Sequence, residues 1–127
     1  MFKARVHRKK HRELILLHGT RWDSVPLIEA DGLDPQRGNL SVGSWLGRDP
    51  QAGHTYAAKG PGPEQGDGRW LFAMFAVACL PNTTEGDEER SFGVWRMMSS
   101  DRMCPAYLVI YSAPMDVRGG RENFLIQ

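Results

Sequence analysis

Cysteine is scarce: only Cys79 and Cys104 in 127 residues. Two thiols build neither a disulfide scaffold nor a four-ligand zinc site. They point to a reducing compartment, and each is read as a small, buried apolar residue. Long apolar runs are missing too; none approaches the ~20 residues that span a bilayer. No apolar signal core follows the first charges, so secretion is not expected and Asn82-Thr83-Thr84 reads as a chance sequon. These absences favour an intracellular protein of cytoplasm or nucleus, although a basic start without acids until Glu13 also suits an organelle transit peptide. His7, His11 and His54 have no partners at metal-ligand spacing, so no metal is expected. No phosphate-binding loop of the Walker or Rossmann kind is present, and Gly60 to Gly68 has only turn composition.

Net charge is nearly absent at +1, but it is unevenly spread. Lys3, Arg5, Arg8, Lys9, Lys10 and Arg12 crowd the first twelve residues, while the remainder carries 10 basic and 15 acidic groups, net −5. Residues 1–12 thus form a basic arm that could meet nucleic acid, an anionic membrane or an acidic partner, or could simply be a solvated terminus. Apolar content of 41% and charge of 24% suit a folded chain, and the length suits a single domain over 13–127.

Glu13 to Leu17 reads as an interior strand. Asp23 is expected to cap a helix with an apolar face of Val25, Leu27 and Ile28 that ends at Gly32. Leu33 to Val42 is expected to be a loop. Asp49-Pro50 supplies the N-cap and first position of a second helix through Ala52, Tyr56 and Ala57 to Gly60. Trp70 to Leu80 is the longest apolar run and suits a central strand. Asn82 to Arg90 reads as a solvated acidic loop, Tyr107 to Tyr111 as another strand, and Asn123 to Ile126 as a short last one. The sum is a mainly antiparallel α+β domain with two short helices between early strands.

Three short motifs stand in order: Leu17-His18-Gly19-Thr20, Gly43-Ser44-Trp45-Leu46 and Gln51-Ala52-Gly53-His54-Thr55-Tyr56. The run Trp70 to Pro81 and the segment Pro105-Ala106-Tyr107-Leu108-Val109-Ile110-Tyr111 follow. Their order and spacing, from Leu14 to Ser112, resemble the catalytic domain of the diphtheria-toxin-like ADP-ribosyltransferases, the poly(ADP-ribose) polymerase branch. The resemblance implies a split antiparallel β-sheet core and a nicotinamide pocket that uses NAD as co-substrate. It assigns the catalytic positions to His18, Trp45 and Tyr107, and the NAD-binding positions to His18, Gly19, Thr20, Gly43, Trp45, Gly53 and Tyr56.

The chemistry explains why such residues are needed. Nicotinamide is planar, so two aromatic faces, Trp45 and Tyr56, could hold it by offset stacking. Its carboxamide needs a donor and an acceptor that approach closely, which the Gly19 backbone can supply. The ribose develops oxocarbenium character, so His18 would position a ribose hydroxyl in a dry site. Each of these side chains also has a plain reading as a core or strand-end residue.

Two departures narrow the function. Trp45 stands where the family has tyrosine, and Tyr107 where it has glutamate. Without that carboxylate polymer synthesis is not expected, which leaves a compact mono-ADP-ribosyltransferase, a glycosyltransferase moving one ADP-ribose to a protein or nucleic-acid acceptor. An inactive module that binds NAD, ADP-ribose or a protein is the alternative. A third reading, similarity to RNA 2′-phosphotransferases, rests on Gly93-Val94-Trp95 and Pro105 to Leu108; the length leaves little room for their RNA-binding lobe.

Overall fold

The computed structural model describes residues 13–36 and 43–115. The basic arm over 1–12, most of the loop before Gly43 and the expected strand over 123–126 lie outside them. Among the described residues, seven antiparallel strands and two short α-helices make a mixed α+β architecture, as the sequence suggests. In chain order they are β1 (Leu14–Thr20), α1 (Val25–Asp31), β2 (Ser44–Gly47), α2 (Pro50–Ala57), β3 (Glu64–Gly66), β4 (Arg69–Cys79), β5 (Glu88–Ser91), β6 (Val94–Met97) and β7 (Met103–Pro114).

The sheet runs β3-β4-β1-β2-β6-β5, with β7 on β4. β4 is central, as its eleven-residue apolar run requires, because a strand covered on both faces has no polar alternation to keep. It pairs with β1 from Leu14↔Cys79 to Thr20↔Ala73 and with β7 along its whole length. β1 and β2, by contrast, share one register position, Leu17↔Gly47. The sheet is therefore one hydrogen-bonded path with a weak seam beside the first and second motifs.

Both faces of β4 are covered. On one, Leu16, Leu33, Leu46, Phe75, Val77, Cys79, Met97 and Met103 form the main core, with Val25 and Ile28 of α1 packed on it. On the other, Phe72 and Ala113 bury against Ala57 and Ala58 at the end of α2. Burying one such side chain as large as Phe72 contributes about 1.5–3 kcal/mol.

Several local expectations are corrected. The first strand continues through His18-Gly19-Thr20, so the motif is part of β1 rather than the loop after it. Asp23 does not cap α1; it lies in a 3₁₀ turn, Trp22–Ser24, that leads into the helix. Gly32 does end α1, with φ +77°. Asp49 caps α2 as expected, its carboxylate accepting from the Gln51 amide at 2.9 Å. Gly60 to Gly68 contains β3 as well as the turn. Cys79 is buried but Cys104 is exposed, since the outer edge of β7 has no strand beside it among the described residues.

The acidic segment departs most from a solvated loop. Glu88 begins β5, and Asp87 is only 1% exposed. Its carboxylate accepts from the Asn82 and Met98 amides at 2.9 and 2.7 Å and from Arg102 at 2.6 and 3.0 Å. Burial raises the Asp87 pKa, but the Arg102 and backbone donors outweigh it and hold the carboxyl below its ordinary range.

Candidate functional site

The three motifs meet because β1 lies beside β2 and α2 crosses β1. One cleft of about 340 Å³ is lined by His18, Gly19 and Thr20 from β1, by Gly43, Ser44 and Trp45, and by Tyr56 and Lys59. Arg21, Leu27, Ile28 and Asp34 line the same cleft. Six of the eight residues singled out in the sequence therefore converge; Gly53 and Tyr107 do not line it.

His18 is fixed by its neighbour strand. Its Nδ1 lies 3.1 Å from the carbonyl oxygen of Trp45. A carbonyl only accepts, so Nδ1 carries the proton and Nε2 keeps its lone pair when the ring is neutral. Burial lowers the His18 pKa, partly countered by the Trp45 carbonyl, which favours that neutral ring. A hydroxyl donor is what Nε2 can then bind.

Gly19 and Gly53 have a different relation from the one expected. A Cβ on Gly19 would stand 1.6 Å from the Gly53 carbonyl oxygen, and one on Gly53 would stand 3.1 Å from Met74 Sδ. The pair is a point of backbone contact that lets α2 lie directly on β1. Gly53 thus serves the cleft from behind, by bringing Tyr56 close, while Gly19 also lines it. Small residues in the third motif permit this packing, but nothing in the sequence pairs Gly53 with Gly19.

The aromatic walls are unequal. Tyr56 is partly exposed, with the Lys59 ammonium 5.0 Å over its ring. Trp45 already has the Arg90 guanidinium 5.8 Å over its ring, and its Nε1 is buried without a hydrogen bond among the described residues. Arg90 on β5 was not singled out in the sequence, because nothing there shows that β5 and β6 fold back beside β2. Tyr107 is 73% exposed and lines a separate groove with Ile28, Phe75, Pro105 and Leu108. A bulge in β7 between its partners Ala76 and Val77 sets its position.

The cleft thus offers a neutral imidazole acceptor, close backbone from Gly19 and Gly43, aromatic surface and two cations, Arg21 and Lys59. Asp34 is the carboxylate among the described lining residues, held in a turn by its own bond from the Gln36 amide at 2.9 Å. Among the described residues no cluster of three or more His, Cys, Asp or Glu could hold a metal ion, and no helix is long and apolar enough to cross a membrane. No protein-family model matches the chain, and no curated protein matches it either.

Proposed function

We propose that this cleft binds the nicotinamide end of NAD and that the protein is an intracellular mono-ADP-ribosyltransferase. The observation that carries the proposal is the convergence of His18, Gly19, Thr20, Gly43, Trp45 and Tyr56, from three separate segments, on one cleft. In this reading nicotinamide lies against Tyr56 and the indole, and the Gly19 backbone meets its carboxamide. His18 Nε2 accepts from a ribose hydroxyl. The glycosidic C–N bond breaks with its electron pair leaving on nicotinamide, and an acceptor nucleophile bonds to the ribose carbon and loses its proton. Protein or nucleic acid is the acceptor class, and the basic arm over 1–12 would add salt-sensitive affinity for the latter.

A non-catalytic NAD- or ADP-ribose-binding module is the second reading. Two observations favour it: Tyr107 stands outside the cleft, and Arg90 covers a face of Trp45.

Nicotinamide release from NAD by wild type and His18→Ala separates the readings. Release that is lost in the variant supports transfer. Saturable NAD binding without release supports the module, and neither binding nor release sinks both.

A further inference from the structure

Behind the cleft lies a polar pair that the proposed chemistry leaves unused. His54, on α2, is 1% exposed, and its Nδ1 lies 2.6 Å from the Tyr111 hydroxyl on β7. Phe72 closes the pair, its ring edge-on to the imidazole at 4.6 Å and 77°. The Tyr111 ring packs beside both, 5.5 Å from His54 and 5.7 Å from Phe72.

We propose that the His54–Tyr111 hydrogen bond is a positioning latch for the cleft: it locks α2 to β7, fixes where Tyr56 stands, and so governs ligand affinity from outside the cleft. The proposal rests on reading the cleft as a ligand site. A helix of eight residues does not hold itself together in water, so tertiary contacts decide where α2 sits. Its contacts through Gly53 and Ala57 are small and apolar, and such surfaces permit sliding. The hydrogen bond is directional. Tyr56 follows His54 by two positions and therefore projects from nearly the opposite side of the helix. A turn of α2 that broke the latch would swing Tyr56 out of the cleft wall.

Protonation states fit the latch. Burial raises the Tyr111 pKa, so its hydroxyl stays protonated and donates. Burial lowers the His54 pKa, so Nδ1 stays unprotonated and accepts from that hydroxyl. The titratable or charged groups on the elements around His54 are Tyr107, Cys104 and Tyr111 on β7, His18 on β1, and Arg69 and Cys79 on β4; β2 carries none. Arg69 is engaged with Ser112. Asp49 and Lys59 flank α2 itself. Acid would therefore weaken ligand binding through two histidines, one in the cleft and one in the latch.

The test uses the full chain, with NAD as probe, in wild type, Tyr111→Phe, His54→Gln and His54→Leu. Amide hydrogen exchange reads the latch without any ligand. Tyr111→Phe is expected to speed exchange across α2 by about tenfold, the equivalent of one lost hydrogen bond, while β1 and β4 keep their protection. His54→Gln, whose amide oxygen can still accept from Tyr111, should retain more protection than His54→Leu. NAD affinity should fall in parallel by about tenfold at neutral pH, and the residual pH dependence in Tyr111→Phe should be that of His18 alone. Unchanged α2 exchange in Tyr111→Phe would overturn the latch. So would faster exchange with undiminished NAD affinity. If wild type does not bind NAD, the cleft reading fails, and the exchange result then decides the latch by itself.

Discussion

One proton on His18 separates a cleft that can accept a hydroxyl from one that cannot. With Nδ1 committed to the Trp45 carbonyl, protonation can occur only at Nε2, where the ligand would bind. The folded-state pKa is lowered from 6.5, so the unfolded chain binds this proton more readily. The stability linked to His18 is therefore complete above pH 6.5 and is lost as pH falls through the lower, folded value. NAD affinity should fall over the same acid range, and His18→Ala should bind weakly at every pH; calorimetric titration between pH 5 and about 8 checks both. Asp87 behaves differently because it is charged and fully paired. Its folded pKa lies below 3.8, so its contribution is present above that pH and disappears as pH falls further. Asp87→Ala strands Arg102 and two amides, and a loss of about 3–5 kcal/mol in urea unfolding is expected. Asp87→Asn should unfold with a flatter acid dependence than wild type.

Among the elements, α2 shows what could and could not be read in the sequence. Its start was legible because Asp49-Pro50 is a cap followed by a residue that fits only the first turn. β4 was legible because its apolar run leaves no face for water. β5 and β6 were not, since short strands with mixed polar residues earn their pairing from partners distant in sequence. Asp87 looked like one more solvated acid because its donors, Asn82, Met98 and Arg102, are brought together only by the fold. The contact of Gly19 with Gly53 was likewise invisible, although both glycines were marked for another reason. Gly19→Ala should push α2 off β1, because the new carbon meets backbone that cannot rotate away. A loss of about 1–3 kcal/mol or more is expected in thermal or urea unfolding, together with loss of NAD binding. Asp49→Ala, at the exposed cap, should cost about 1 kcal/mol and leave ligand affinity nearly unchanged.

For the molecule as a whole, the α+β class and the mainly antiparallel sheet follow from the alternation of short helices with apolar strands. The convergence of the three motifs follows from topology: β1 lies between β4 and β2, and α2 returns across β1. Tyr107 was assigned by its place in the late strand, but a bulge and an uncovered stretch of β7 leave it on a different surface. The late strand therefore gives the cleft no catalytic group at this position, so NAD binding is the step to test before transfer. The direct test is an NAD titration of the ¹⁵N-labelled protein followed by amide chemical shifts. Saturable shifts concentrated at Gly19, Thr20, Gly43 to Trp45 and Tyr56, and lost in His18→Ala, are expected. No saturable shift, or shifts gathered instead around Phe75 and Tyr107 to Leu108, would contradict the assignment of the cleft.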